Sequence, residues 1–337
     1  MPFTNFFMKK NIALLAGGYS GEFEVSMNSA NTVQKHLDAQ LYEVYKIVIT
    51  KKDWTYTGAS GENIPVDKND FSLTINGEKI KFDAAFIIIH GTPGEDGLLQ
   101  GYLDMLDIPY TNCGLMSSAL TFNKSYCNKV VAALDIIHVA KSAHLFKGKA
   151  YDTASILQAL ELPLFVKPAG GGSSIGMTKV KTAEELPGAI ERAFREDVQV
   201  LVEEFMSGRE FSCGAFTEQG AVKVLPITEI ISKKEFFDYE AKYTPGMSEE
   251  VTPANVPPAM AAKAQGIIAK LYDALNCKGM VRIDFIWDES KDKLYFLEVN
   301  TTPGQSEASI IPQQVRAAGM NLGQFYGNLI EECLRKS

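Results

Sequence analysis

The chain has 337 residues, 46% hydrophobic and 22% charged, with a net charge of −8. That length accommodates two or three domains with large cores, and the acidic balance argues against a nucleic-acid or anionic-membrane surface. Five scattered cysteines without a C-x-x-C pair, and no apolar run near the roughly 20 residues of a membrane span, predict a cytoplasmic protein without zinc that acts on small molecules.

Residues 1–10 read as an extension, disordered at its start. Lys9 and Lys10 before an apolar run have the look of a signal peptide, but the run breaks at Gly17-Gly18 with no cleavage site, so 11–16 reads as a buried parallel strand. It ends in GGYSGE, and Val25, Ala30, Val33 and Leu37 mark the helix that follows. GGYSGE is not G-x-G-x-x-G and no acid ends the next strand, 42–50, which argues against a dinucleotide site. The strand 82–89 runs into HGTPGEDG at its carboxyl end, where open α/β sheets hold ligands. A helix at 97–106, a short strand at 108–110 and interrupted helices over 114–134 follow, with an N-terminal α/β domain at 11–122.

A second, mixed region spans 123–210. It is predicted to hold a short strand at 137–140, a helix at 153–160, strands 164–167 and 176–180 flanking PAGGGSSIGM, a helix at 183–195 and a strand at 198–203. The glycines join two strands and G-K-[ST] is missing, so this is a hairpin loop whose backbone closes over phosphates rather than a P-loop. Over 211–337 the sequence predicts a strand at 222–231, helices at 257–275 and 322–335, and a segment, 232–256, without periodicity. Phe236, Phe237, Tyr239 and Tyr243 alternate there with Lys233, Lys234 and Lys242, a composition suited to a lid rather than a disordered tail.

The stretch 281–304, VRIDFIWDESKDKLYFLEVNTTPG, reads as a hairpin of strands 280–287 and 294–299. Alternation puts Arg282 and Asp284 on one face, opposite Val281, Ile283 and Phe285; Glu298 and Asn300 oppose Leu297 and Val299. Two carboxylates and an amide on one face suit a hard divalent cation, and Thr301–Gly304 ends the strand in a turn whose N–H groups suit an anion. The same face also fits an internal ion-pair network.

GGYSGEFEVS, HGTPGEDGLLQG, KPAGGGSSIGM, EEFMSGREFS, FDYEAKY, RIDF and LEVNTTPG stand in an order and spacing that resemble the ATP-grasp superfamily and, within it, the D-alanine–D-alanine ligases, over residues 11–335. The resemblance implies an α/β fold with α+β elements in three domains. It also implies ATP and two magnesium or manganese ions as cofactors, D-alanine as substrate, a homodimer and a place in peptidoglycan synthesis. On this resemblance Asp284, Glu298 and Asn300 are the metal ligands. Lys124, Lys167 and Lys242 hold phosphates, and Glu203, Glu204, Phe205, Met206 and Glu210 meet adenine and ribose. Glu22 takes the first ammonium in a set with Ser173 and Tyr243. Arg282 and the Gly304 N–H stabilise the oxyanion, and His90, Glu95 and Ser309 lie at the second substrate.

Three positions depart from the family pattern: Asn123, Ala169-Gly170-Gly171 and Ala308. The competing readings are a D-Ala–D-Ser or depsipeptide ligase, another ATP-grasp carboxylate–amine ligase such as a glutathione-synthetase-like enzyme, and a non-catalytic nucleotide-binding protein. Tyr243 within FDYEAKY speaks against the D-lactate variety.

Overall fold

A computed structural model describes residues 9–172, 175–232 and 248–335. The expected disordered start (1–8), Ser173 and most of the expected lid, with Lys242 and Tyr243, lie outside the described residues. The apolar run opening the chain is a strand, Lys10–Gly17, parallel to Tyr42–Ile49 on one side and Ala84–Ile87 on the other. Trp54–Thr57 and Asn63–Pro65 extend this sheet antiparallel to five strands. Alternation along its central strand feeds two cores. Ile12, Leu14 and Ala16 pack with Ala30 and Val33 of the helix Phe23–His36 and with Phe325, Tyr326 and Leu329 of the closing helix Leu322–Leu334. Ala13 and Leu15 pack with Leu99 and Leu103 of the helix Leu98–Asp104.

A four-stranded antiparallel sheet follows, in the order Thr178–Val180, Leu164–Pro168, Gln199–Glu204, Ser142–Phe146, backed by the helices Thr153–Ala159 and Leu186–Glu196. The glycine loop therefore joins two antiparallel strands. The strand expected at 137–140 is replaced by one isolated bridge, His138 to Tyr295, and the strand itself is Ser142–Phe146. Ile137 is buried in the third sheet's core, with Ile136 and Val139 packed against it, so the apolar run marked burial rather than pairing.

The third sheet has six strands. Arg209–Glu218 is central between Thr228–Ser232 and Met280–Asp288; Lys293–Asn300 pairs with the latter, Ser248–Val251 forms the far edge, and Ala221–Val224 pairs with Arg209–Glu218. The single strand expected at 222–231 is thus two, parted at 225–227, where Pro226 has no N–H to donate. Ser248–Val251 lies in the span expected to lack structure; its Ser-Glu-Glu-Val sequence is too polar to signal a strand and is tolerated on an edge. The helix Ile310–Ala317 lies where the sequence reading placed no element, and its Pro312 sits in the first turn, where proline is tolerated.

Gly279 joins the first and third sheets. It has φ +60°, and a Cβ there would lie 1.7 Å from the Thr111 carbonyl oxygen. That close approach puts 111–112 beside the hairpin, and the Asn112 amide donates to the Thr301 carbonyl and to Thr302 Oγ1, both at 3.0 Å. No helix among the described residues is long and apolar enough to cross a membrane.

Candidate active site

In the hairpin Arg282 lies opposite Asn300 and Asp284 opposite Glu298, so all four polar side chains project from one face. Between Asp284 and Phe285 the register shifts, and Phe285 pairs with Phe296. Leu297 is the extra residue of a β-bulge, which corrects the expectation of simple alternation. Phe296 and Val299, three apart, both reach the core, while Leu297 stays half-buried. Arg282 grips Asp284 with Nε and Nη2 at 2.9 and 2.8 Å, Ser212 donates to the same carboxylate at 2.5 Å, and the Asn300 amide at 3.0 Å. Burial opposes the guanidinium's charge, but Asp284, Glu298 and Glu95 outweigh it and its pKa is raised.

Lys124 opens the helix Lys124–Leu134, capped by Asn123, whose Oδ1 accepts from the Tyr126 N–H. Its Nζ lies 3.2 Å from Glu298 and donates to the Gly171 carbonyl at 2.7 Å. Burial works against this ammonium too, and Glu298, Glu95 and Glu203 raise its pKa in spite of it. Lys167, on the neighbouring sheet, sits 2.5 Å from the buried Glu203, which also accepts from Asn128 at 3.4 Å. One of the three departures, Asn123, finds a local reason in its side chain, and a backbone bond anchors the second. The Asn123 amide donates to Gln199 at 3.2 Å, which an Asp cannot do, and the Gly170 N–H donates to Asp197 at 2.7 Å, pinning the start of the glycine loop. A Cβ on Gly172 would lie 3.1 Å from a Glu22 oxygen, so the bare glycine lets the loop lie against that carboxylate.

Glu22 stands at the N-terminus of the helix Phe23–His36, and its carbonyl accepts from the Ser26 N–H. His90 is buried near it and 3.4 Å from Ser29. Glu95 accepts from the Gly91 and Thr302 N–H groups at 2.7 and 3.2 Å, tying the HGTPGEDG turn to the end of the hairpin. Ser309 stands at the start of the helix Ile310–Ala317, its Oγ bonded to Ser306 Oγ at 2.7 Å, and lies against Gly304: a Cβ on Gly304 would be 3.0 Å from that Oγ. At the other end the Glu204 carboxylate accepts from the Glu161 N–H, and the Glu204 and Phe205 N–H groups are committed to Lys141 and Pro163 carbonyls. Lys179 lies 3.8 Å over the Phe205 ring, Met206 follows on the loop, and Glu210 is half-buried on the central strand. The structure thus gathers Glu22, His90, Glu95, Lys124, Lys167, Glu203, Arg282, Asp284, Glu298, Asn300, Gly304 and Ser309; Glu204 points elsewhere.

Two family models match, described as D-ala D-ala ligase N-terminus over residues 11–113 and D-ala D-ala ligase C-terminus over residues 131–331. The chain belongs to the D-alanine–D-alanine ligase family. It is 46% identical over 323 residues to the D-alanine–D-alanine ligase of Azobacteroides pseudotrichonymphae, covering 96% of this chain and 99% of that one. Identity is also 46% to the Flavobacterium johnsoniae enzyme of that name, with 96% and 98% covered. Among solved structures, the VanG D-Ala:D-Ser ligase from Enterococcus faecalis superposes with a TM-score of 0.87 at 33% identity, over 97% of this chain and 100% of that one. The D-alanyl-alanine synthetase A from Vibrio cholerae superposes with the same TM-score at 30% identity, over 97% and 99%. The fold is ATP-grasp, the protein is a ligase, and membership of the D-alanine–D-alanine ligase family implies ATP as its energy source.

Some residues of this D-alanine–D-alanine ligase family site escaped the sequence reading. Ser212 pairs with Asp284 across the sheet, and alternation along Arg209–Glu218 would have found it had that strand been recognised. Glu250, whose pKa is raised by burial, feels both Arg282 and Asp284 and accepts from Gln313 at 2.6 Å; its strand carried no signal. Among the described residues no three His, Cys, Asp or Glu side chains gather into a metal site. Two carboxylates and the Asn300 amide oxygen nevertheless form a donor set that suits a hard divalent cation.

Burial pushes Glu95 up to about 7, with the fields of Glu22 and Glu298 adding to it and its two N–H donors opposing. Its folded pKa lies above its unfolded value, so the stability it contributes is complete below about pH 4.5 and lost as pH rises through about 7. Glu95→Gln is expected to remove that loss. Urea unfolding should show wild type declining relative to the variant by about 3 kcal/mol between pH 4.5 and 8; parallel curves would acquit Glu95.

Proposed function

We propose that the protein joins two D-alanines into D-alanyl-D-alanine for peptidoglycan synthesis, releasing ADP and phosphate. The observation that carries this is the convergence of Lys124, Lys167, Arg282, Asp284, Glu298 and Asn300 beside Gly304, in a chain of this family. A carboxylate oxygen of the first D-alanine attacks the γ-phosphorus, the bond to ADP breaks, and an acyl phosphate forms. The amine of the second D-alanine then attacks the acyl carbon. The tetrahedral oxyanion collapses with loss of phosphate, and the amine gives up its proton.

Lys124 and Lys167 hold phosphate oxygens, so charge is neutralised as it moves toward the leaving group. Asp284, Glu298 and Asn300 would hold magnesium or manganese, two ions in our reading. When bound, these supply Lewis-acid stabilisation of the phosphates. Glu22 orients the first ammonium. Arg282 and the Gly304 N–H face the oxyanion, and Ser309 with the His90–Glu95 turn borders the second substrate. Glu203 and Glu210 border the nucleoside, and Lys242, Ser173 and Tyr243 complete the phosphate and first-substrate contacts. Three of the four apolar cores, one behind each sheet, support three domains at 11–122, 123–210 and 211–337, and the fourth, from Ile12 to Phe325, joins the first domain to the third. A cytoplasmic homodimer completes the reading.

A D-Ala–D-Ser ligase is the second reading, supported by the structural likeness to the VanG D-Ala:D-Ser ligase. With D-alanine, D-serine and D-lactate supplied together, ADP formation and product analysis should give D-alanyl-D-alanine as the main product. A dominant D-alanyl-D-serine would favour the second reading, and a dominant ester would overturn both.

A further inference from the structure

The turn after the hairpin is held by a chain of buried polar groups, of which Ser29, Gln305 and Tyr326 have no role above. Gln305 is fully buried, yet its side chain is fully engaged: Nε2 donates to the Pro303 carbonyl at 3.0 Å and Oε1 accepts from the Tyr326 hydroxyl at 3.2 Å. Its backbone N–H donates to Ser29 Oγ at 3.0 Å. Ser29, also fully buried, lies 3.4 Å from His90 Nε2. A hydroxyl has one proton and two lone pairs, so Ser29 Oγ accepts from Gln305 N–H and still bonds His90 Nε2 in either direction. Burial lowers the pKa of this ring. Gly304 lies between the two residues, Pro303 and Gln305, that this network grips. Ser29 also sits on the helix that presents Glu22, two turns further along. One rigid helix thus sets the distance between the group facing the first ammonium and the turn facing the oxyanion.

We propose that Ser29 and Gln305 are positioning residues for the amine-attack step, holding the Gly304 N–H in place through the chain from Gln305 N–H to Ser29 Oγ to His90 Nε2. This rests on the reading of Arg282 and Gly304 as the oxyanion donors. His90 serves as the far anchor of the chain, tying Ser29 to the HGTPGEDG turn.

Two rates separate the half-reactions. Positional isotope exchange in 18O-labelled ATP, at D-alanine levels that fill only the first site, reports reversible phosphoryl transfer; dipeptide formation reports the whole sequence. Ser29→Ala leaves the Gln305 N–H without its acceptor and should lower kcat for dipeptide about 10- to 100-fold, with isotope exchange and the KM of the first D-alanine changed less than about 3-fold. Gln305→Met keeps the volume, loses the amide, and should show the same split at about 10-fold; Tyr326→Phe should show it at about 3-fold and covers the case in which Ser29→Ala does not fold. Equal losses in both rates, or no loss in either, would overturn the proposal. Arg282→Lys, which keeps charge but not the two-pronged grip, tests the reading beneath it. If Arg282→Lys shows the split and the Ser29 and Gln305 variants do not, only the positioning role fails. If Arg282→Lys shows no split, the oxyanion reading itself fails.

Discussion

Glu298→Gln is expected to lower D-alanine-dependent phosphate release by at least about 1,000-fold while the protein stays folded. The amide keeps the shape of the side chain and removes one negative charge from the face shared with Asp284 and Asn300. The fold should tolerate this, because Lys124 loses its nearest carboxylate but still donates to the Gly171 carbonyl and lies in the fields of Glu95 and Glu203. A loss of about 1–2 kcal/mol is the expected structural cost, small beside the catalytic one. Phosphate release and a urea titration on the same preparation separate the two effects. Near-normal turnover would remove Glu298 from the metal-binding set.

Arg282→Met should act on stability as well as chemistry. Asp284 is buried, and Arg282 supplies two of its four hydrogen bonds and its nearest positive charge. Taking away one partner of a buried pair leaves the other charge uncompensated, which costs about 3–5 kcal/mol. Dipeptide formation should fall about 1,000-fold from loss of the oxyanion partner. The double variant Arg282→Met/Asp284→Asn discriminates, since no charge is then stranded: stability should return to within about 2 kcal/mol of wild type while activity stays lost. A double variant as unstable as Arg282→Met alone would show that the pair is not what holds this face together.

The parts of the site that follow from local periodicity were legible. The continuous apolar run at 12–16 marked a two-faced buried strand, and alternation in RIDF put Arg282 beside Asp284. Glycines between two apolar runs marked a hairpin loop, as the pairing of Leu164–Pro168 with Thr178–Val180 bears out. Periodicity failed where packing overrode it. The bulge at Leu297 moves Phe296 into the core by a shift of register that no period of two contains. Ser248–Val251 is held on an edge by Thr228–Ser232 and has no apolar face of its own to announce it. Contacts between distant segments were beyond reach for a different reason. Asn112 with Thr302, or Ser29 with Gln305, depend on Gly279 and the closing helix bringing sheets together, and nothing in either residue's neighbours encodes that approach.

Lys124, Lys167 and Arg282 each already hold a carboxylate, those of Glu298, Glu203 and Asp284. If these three groups bind the substrates as proposed, the protein meets them with its charges internally matched, and binding is a change of partners rather than capture by idle cations. A lone anion must compete with three carboxylates for these positive groups. If a divalent cation occupies Asp284 and Glu298, that competition eases, Lys124 and Arg282 turn toward phosphate and acyl oxygens, and each ligand removes the other's rival. By reciprocity, nucleotide and cation must then raise each other's affinity by the same factor. Selectivity for the pair over free phosphate would then arise from the protein's own acids acting as the competitor.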